Sequence, residues 1–218
     1  MKYFPAFLDL RRRPCLVVGG GTLASHKARA LLRAGARVRV VAPRLDRSLS
    51  ALQRAGRVTA RRRAFRDRDL EGCVLVIAAT DDAAVNRAVY RGSRRRRIPC
   101  NVVDQPALCS FIFPSVLRRG DLVIAISTGG SGPALSRRLR LELQRTIGAE
   151  YATFLRLLHE ARRRLRRGLP DLAARKRAVY RLLDSPAFSL VRAGRLAQAR
   201  AVLGKRVAAA IRAGPGRS

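Results

Sequence analysis

The sequence predicts an α/β fold, with a doubly wound parallel sheet first, then a small hairpin-plus-helix segment, and a helical domain last. Up to about residue 113, short apolar runs alternate with segments of helical spacing, which is typical of βαβ units. The predicted strands are Cys15–Val18, Val38–Ala42, Val58–Ala60, Val74–Ala78 and Cys100–Val103. The segments with helical spacing are Ala24–Leu32, Leu45–Leu52 and Ala83–Tyr90. Their connections suit right-handed crossovers between parallel strands.

The pattern changes after residue 113. Two apolar runs, Phe111–Leu117 and Leu122–Ile126, flank a turn-forming stretch and predict a hairpin. A helix is then expected from Pro133, with Gly132 as its N-cap, and the remainder reads as helical. The predicted organisation is a sheet domain over 1–113, a hairpin segment over 114–147, a helical domain over 148–213 and a disordered tail over 214–218.

Composition narrows the class of protein. Of 218 residues, 48% are hydrophobic, which excludes a disordered chain, and the apolar runs are too short to span a membrane. The N-terminal stretch lacks the apolar run of a signal peptide, so we expect a cytoplasmic protein. The four cysteines are widely spaced without a C-x-x-C pair, so neither a disulfide framework nor a metal site is expected.

The formal net charge of +33 would suit a nucleic-acid partner. However, nearly all of the positive charge is arginine spread along the chain, and aromatic residues make up only 5% of it. No zinc-finger spacing or aromatic RNA-binding signature is present. We therefore expect no nucleic-acid partner, and favour a small, multiply anionic substrate, because arginine pairs well with carboxylates.

A glycine motif carries the most information. The first predicted strand runs into Gly19-Gly20-Gly21-Thr22-Leu23-Ala24, a G-x-G-x-x-A pattern that opens a helix. In a Rossmann-type domain, Gly19 would allow the tight turn and Gly21 would let a pyrophosphate approach the backbone at the helix N-terminus. The motif therefore predicts dinucleotide binding; the alternative is a glycine turn that packs without a ligand.

The choice between NAD and NADP stays open at this point. About 20 residues further on, where an acidic residue would bond the ribose, the chain has Pro43 and Arg44. Arg44 would suit a 2′-phosphate, but we favour the simpler interpretation that it is one more solvated arginine.

Polar residues also follow the fourth and fifth predicted strands. Thr80, Asp81 and Asp82 follow one strand, and Asn101 to Asp104 ends the next. Because ligands bind outside the carboxyl ends of parallel strands, these residues should face the cofactor crevice. Asp82 and Asp81 precede a helix and suit its N-cap, whereas Asp104 is followed by Gln105-Pro106 and is the better catalytic candidate.

These residues resemble the siroheme synthase N-terminal module family of precorrin-2 dehydrogenases and sirohydrochlorin ferrochelatases. The similarity is near-continuous from about residue 2 to 147 and rests on the order and spacing of several motifs rather than on any one of them. The motifs are Val17–Gly21 with Ala24 and Lys27-Ala28, Leu31–Ala36, Ile77–Asp82, Cys100–Asp104, Ser110–Ser115 and Ile126–Gly130.

The resemblance implies oxidation of precorrin-2 to sirohydrochlorin with NAD, and in many members insertion of ferrous iron to give siroheme. Relatives with similar motifs include dehydrogenase-only enzymes, so both alternatives stay open. The aspartate matching Asp104 would be the general acid/base. Family members are homodimers whose hairpin segments interlock, so 114–147 would be a dimerisation segment.

The resemblance also implies binding residues. The expected cofactor-binding residues are Gly19, Gly21, Thr22, Leu23, Pro43, Arg44, Thr80 and Asp81. The expected substrate-binding residues are Asn101, Thr128, Gly129, Gly130 and Ser131, the last four forming a loop whose N–H groups would meet a carboxylate. His26 and Gly132 depart from the residues common in the family, arginine and serine. The alternative hypothesis is a nucleotide-sensing Rossmann domain that regulates a partner without catalysis.

Overall fold

The computed structural model describes residues 3–214 and divides the chain into two compact units. The first unit comprises Met1–Phe113 together with Gly129–Ser131, and the second comprises Pro114–Thr128 together with Gly132–Ser218. The tail predicted over 214–218 lies outside the described residues, except for Gly214.

The first unit is built on a parallel five-stranded sheet. Its strands are β1 (Pro14–Val18), β2 (Arg37–Val41), β3 (Val58–Arg61), β4 (Leu75–Ala78) and β5 (Cys100–Val102). They lie in the order β3-β2-β1-β4-β5, with Val17 opposite both Val40 and Ile77. This is the order of a Rossmann-type sheet, and it confirms the predicted fold class. The order reverses between β1 and β4, so the ligand crevice is expected there.

Helices cover both faces of this sheet. They are α1 (Thr22–Arg33), α2 (Arg47–Arg54) and α3 (Ala83–Arg95), with short 3-10 helices at Asp67–Leu70 and Pro106–Leu108. Alternate strand residues enter separate cores: Val17 and Ile77 pack with residues of α1 and α2, while Val18 and Ala78 pack with residues of α3. Burial on both sides explains why the strands read as continuous apolar runs.

Helix α3 is five residues longer than its apolar pattern predicts, since it continues from Tyr90 to Arg95. The sequence of this extension includes Gly92, which normally weakens a helix. Here a side chain on Gly92 would press against Asp67 and Leu70 of the 3-10 helix. Glycine at this position therefore lets the 3-10 helix pack closely against α3.

The second unit begins with an antiparallel hairpin. Strand β6 (Ser115–Arg119) and strand β7 (Leu122–Ile126) are joined through Gly120 and Asp121, and Gly120 has a positive φ of 59°. The first hairpin strand starts later than predicted. Phe111 and Phe113 instead pack against the core of the first unit.

The rest of the second unit is helical. Its helices are α4 (Pro133–Thr146), α5 (Glu150–Gly168), α6 (Leu172–Leu183), α7 (Ala187–Arg192) and α8 (Leu196–Ala213). Helix α4 packs on β6, while α5, α6 and α7 all pack on α8. Their common core includes Phe154, Leu165, Leu182 and Leu203. None of the helices within residues 3–214 is both long and apolar enough to cross a membrane.

Candidate functional site

An open cleft of about 800 Å³ lies at the carboxyl ends of β1, β2, β4 and β5. This is where a doubly wound sheet binds its ligand. The cleft brings together every residue that the sequence proposes for cofactor binding, together with the candidate catalytic carboxylate. The residues are Gly19, Gly21, Thr22, Leu23, Pro43, Arg44, Thr80, Asp81 and Asp104.

The glycine loop forms one wall of the cleft. Gly19 has a φ of 130°, and a Cβ there would collide with the carbonyl oxygen of Ala79. Gly19 also donates from its N–H to the carbonyl of Val41 at 3.0 Å. Gly21 differs, because a Cβ built on it would meet nothing within 4 Å. The space in front of Gly21 is therefore open for a ligand.

Helix α1 begins at this open space. Gly21 is its N-cap, no side chain caps the helix, and its first turn contains no acidic residue. The N–H groups of the first turn, which includes Thr22 and Leu23, have no intrahelical acceptor, so they favour an anion from outside the helix. A dinucleotide pyrophosphate fits this arrangement.

The end of β2 supplies Pro43 and Arg44, both exposed to the cleft. Asp46 also lines it, but the Asp46 carboxylate accepts a hydrogen bond from the N–H of Leu49 at 2.6 Å as the N-cap of α2. The cap uses Oδ1 of Asp46, and the residue also lines the cleft.

The polar residues that follow β4 have two roles: some make hydrogen bonds that hold the local structure, and others face the cleft. Asp82 caps α3 by accepting from the N–H groups of Ala84 and Val85, at 2.8 and 3.1 Å. The capping role that the sequence favours for Asp82 is confirmed. Thr80 is held in place, since its carbonyl accepts from the side-chain amide of Asn86 at 2.8 Å. Asp81 is exposed at the cleft wall.

Asp104 follows β5 at the edge of the same cleft. It is exposed, and its φ of 60° places it in the left-handed region, which aspartate tolerates better than most residues. On one side, Val103 donates to the carbonyl of Ala78 at 2.9 Å, and on the other Gln105 donates to that of Val102 at 3.2 Å. Both neighbours are thus fixed by backbone hydrogen bonds. The Asp104 carboxylate caps no helix, so it can act on a ligand.

Comparison with known families identifies this cleft. Residues 6–115 match the family model described as "Putative NAD(P)-binding". The chain belongs to this NAD(P)-binding family. Residues 119–146 match a second model, "Sirohaem biosynthesis protein central", which covers the turn of the hairpin, β7 and α4. The resemblance to the siroheme synthase N-terminal module and the expectation of a nicotinamide dinucleotide are both confirmed.

Relatives of known name agree with this assignment. Siroheme synthase of Methylococcus capsulatus is 44% identical over 203 residues, covering 93% of this chain and 43% of that protein. Siroheme synthase 1 of Pectobacterium atrosepticum is 45% identical over 199 residues, covering 91% of this chain and 42% of that protein. The chain therefore spans less than half the length of these relatives. A solved structure, SirC, precorrin-2 dehydrogenase, superposes with a TM-score of 0.75 at 26% identity, covering 93% of this chain and all of that one.

The residues expected to bind substrate are placed differently from the cofactor residues. Asn101 is buried, and its amide donates to the carbonyl of Phe111 at 3.0 Å. Gly129, Gly130 and Ser131 belong to the first unit, and both glycines have positive φ. Thr128 belongs to the second unit, and its hydroxyl oxygen accepts from the N–H of Gly132 at 3.1 Å. None of these five residues is among those lining the cleft.

Two residues were missed as functional residues in the sequence analysis. A Cβ on Gly20 would collide with the carbonyl oxygen of Arg44, and the Gly20 carbonyl accepts from the N–H of Asp46 at 2.7 Å. Gly20 therefore lets the glycine loop approach the end of β2. A contact between distant segments leaves no signal in a local sequence motif, apart from the additional glycine at position 20.

The second residue is Lys27 on α1. Its Nζ lies 3.9 Å from the centroid of the Phe113 ring, a cation–π distance. Burial lowers the pKa of Lys27, while the negative charges of Asp104 and Cys109 oppose that shift. Asp104 is thus one of the negative charges that act on Lys27. Among residues 3–214, no group of three or more His, Cys, Asp or Glu side chains could hold a metal ion.

Proposed function

We propose that the chain oxidises precorrin-2 to sirohydrochlorin with NAD as the hydride acceptor. The observation that carries the proposal is the exposed Asp104 carboxylate at the edge of a dinucleotide cleft. The solved structure of a precorrin-2 dehydrogenase supports it, because that likeness extends over 93% of this chain and all of the other. The high positive charge suits a substrate with several carboxylates.

In the proposed reaction the substrate loses two hydrogens, one as hydride and one as a proton. NAD, when bound, would accept the hydride. The glycine loop and the first turn of α1 would hold the pyrophosphate of NAD, and Thr22, Leu23, Pro43 and Arg44 would contribute to its binding site. Asp104 accepts the proton that the substrate releases as the hydride leaves. Backbone hydrogen bonds of Val103 and Gln105 fix the main chain on either side of Asp104.

The experiment is anaerobic incubation of the purified chain with precorrin-2 and NAD. Sirohydrochlorin and reduced nicotinamide should rise together in the absorbance spectrum. Asp104→Asn should lower turnover at least a hundredfold, the usual contribution of a general acid/base, with NAD affinity unchanged. The matched control is Glu71→Gln. Glu71 is an exposed acid that precedes β4, so it lies towards the amino ends of the strands, whereas the cleft lies at their carboxyl ends.

The outcomes separate the two functions considered. If NAD binds but neither product forms, the chain is a nucleotide-sensing domain and not a dehydrogenase. If Asp104→Asn turns over as fast as the unmodified chain, Asp104 has no part in the mechanism. Adding ferrous iron to the product then tests for siroheme, an activity that the names of the curated relatives support.

We also propose that the loop Thr128–Ser131 binds a substrate carboxylate. Gly129 and Gly130 have φ values of 65° and 97°, and a Cβ on either would meet nothing within 4 Å. The loop ends at α4, whose first turn contains no acidic residue. Small residues and a helix N-terminus suit an anion. Gly130→Asp should therefore raise KM for precorrin-2 with little effect on NAD binding.

A homodimer is proposed from α4. Leu135 and Leu139 are 53% and 38% exposed, and their four-residue spacing places them on one side of the helix. Val116 on β6, which packs on α4, is 47% exposed as well. Apolar surface of this kind is usually covered by a partner. Light scattering should give twice the 24.0 kDa chain mass, and Leu139→Asp should reduce the measured mass towards the single-chain value.

We also propose a cytoplasmic location for the protein.

A further inference from the structure

A second cavity lies in the helical part of the second unit, between α5 and α6. It is an open groove of about 680 Å³. It shares no residue with the cofactor cleft. The lining residues are Arg162, Leu165 and Arg166 of α5 and Leu172, Arg175, Lys176, Val179, Tyr180 and Leu183 of α6.

The floor of this groove is more apolar than a solvated surface requires. Leu172 is 73% exposed, Tyr180 57% and Leu183 44%. Helix α6 already buries a separate face, formed by Ala174, Ala178 and Leu182, in the core of the unit. The exposed apolar side chains are therefore not needed for folding, and such a patch indicates a binding surface.

Positive charge surrounds the apolar floor. Arg162, Arg166, Arg175 and Lys176 form no ion pair or side-chain hydrogen bond with any residue in the described range 3–214. The acid at the start of α6, Asp171, is committed to capping that helix through the N–H of Ala174 at 2.6 Å. Four positive charges around the groove are thus left for an anionic ligand.

The dimensions favour a compact ligand over a peptide helix. The groove is unequal on its two sides: the lining residues of α6 span Leu172 to Leu183, about 17 Å, whereas those of α5 span only Arg162 to Arg166, about 6 Å, at the rise of an α-helix. A bound helix would therefore be enclosed on the α5 side over little more than one turn. A bound helix anchors its side chains over at least seven residues, about 10 Å. The volume, in contrast, falls within the range of roughly 300–1,000 Å³ that small-molecule sites occupy.

We propose that this groove binds a flat, unsaturated ring compound that carries several carboxylates. The ring would lie on the leucines and the Tyr180 side chain, and the carboxylates would pair with the arginines at the edge. The chemical class is that of the proposed substrate and product, so the groove is a second, non-catalytic site for such molecules. The choice of this ligand class rests on the proposed function, whereas the groove and its free positive charges do not require Asp104 to be catalytic.

The test uses uroporphyrin, a stable porphyrin polycarboxylate, titrated into the full chain at physiological salt. Porphyrin fluorescence anisotropy reports binding, and hydrogen exchange locates it. We expect protection of the amides of α6 and of the last turns of α5. Arg166→Gln with Arg175→Gln should weaken this binding about tenfold or more, because each charge-assisted contact contributes appreciably.

The matched control is Arg163→Gln with Arg167→Gln. Both control arginines are exposed on α5, the helix that carries Arg166, and neither lines the groove. Removing them lowers the net charge by the same amount as the test variant does. We expect the control to alter affinity less than twofold. Thermal unfolding of both double variants should match that of the unmodified chain, since the replaced side chains carry no structural contact.

Three results would overturn the proposal. Equal weakening by both double variants would show that the porphyrin responds only to overall charge. Protection confined to residues outside α5 and α6 would place the ligand elsewhere. Protection of the groove by an acidic amphipathic peptide, with none from uroporphyrin, would assign the groove to a protein partner instead. Because neither readout measures dehydrogenase activity, failure here is distinct from failure of the proposed reaction.

Discussion

Replacement of Asp69 by asparagine should destabilise the sheet domain in a pH-dependent way. Asp69 lies in the 3-10 helix that precedes β4, and its side chain is only 2% exposed. Its carboxylate accepts from Arg63 at 2.6 and 2.8 Å, from Arg61 at 3.2 Å and from the N–H of Arg66 at 2.9 Å. These contacts, Arg63 first, lower the pKa of Asp69 from 3.8 to about 2.

The size of the effect follows from that shift. Lowering the pKa from 3.8 to about 2 corresponds to about 2 kcal/mol of unfolding free energy at neutral pH. The folded-state pKa lies below the unfolded value, so the full contribution is present above about pH 5 and is lost as pH falls towards 2. At pH 3 about half of it should remain, roughly 1 kcal/mol.

Urea unfolding followed by circular dichroism at pH 7 and pH 3 measures this directly. Asp69→Asn should lower the free energy of unfolding by about 2 kcal/mol at pH 7 and by about half of that at pH 3. Asp67→Asn is the control, since Asp67 is 46% exposed and its pairs with Arg95 and Arg96 should contribute under about 1 kcal/mol. A loss for Asp69→Asn below about 0.5 kcal/mol at pH 7, or an equal loss at both pH values, would refute the reasoning.

Three further changes test the site. Gly20→Ala should weaken NAD binding at least tenfold, because the new Cβ collides with the Arg44 carbonyl and displaces the loop; unchanged affinity in a fluorescence titration would contradict this. Lys27→Met should lower turnover about tenfold with NAD affinity retained, since it removes a positive charge coupled to Asp104; Lys27→Arg should restore most of the rate. Asp82→Ala should lower the free energy of unfolding in urea by about 1 kcal/mol, because it removes the N-cap of α3. A decrease near zero would argue against the cap.

The sequence was sufficient to predict the sheet because both of its faces are buried. Each β-strand therefore appears as a short apolar run, and Gly19 and Gly21 mark the turn after the first one. Strand ends were right to within one or two residues. The gathering of Arg44, Thr80 and Asp104 at one edge also followed, since parallel strands end on the same side.

The features that could not be predicted from the sequence depend on contacts between distant segments of the chain. The need for glycine at position 20 arises from the Arg44 carbonyl, and Gly92 in the extension of α3 lies against Asp67 and Leu70 of the 3-10 helix. The placement of Lys27 over the Phe113 ring joins residues 86 positions apart. Local periodicity carries no information on such pairs.

The conformation of Asp104 has an evolutionary consequence. Asparagine is the residue that most readily replaces aspartate at a positive φ, because its side chain has the same shape and tolerates the left-handed region. A change of one base converts an aspartate codon to an asparagine codon. A descendant with asparagine at this position would keep the fold and the cleft while losing the carboxylate. If Asp104 is the general acid/base proposed above, a single mutation that leaves the fold unchanged would separate a catalytic form of this domain from a purely ligand-binding one.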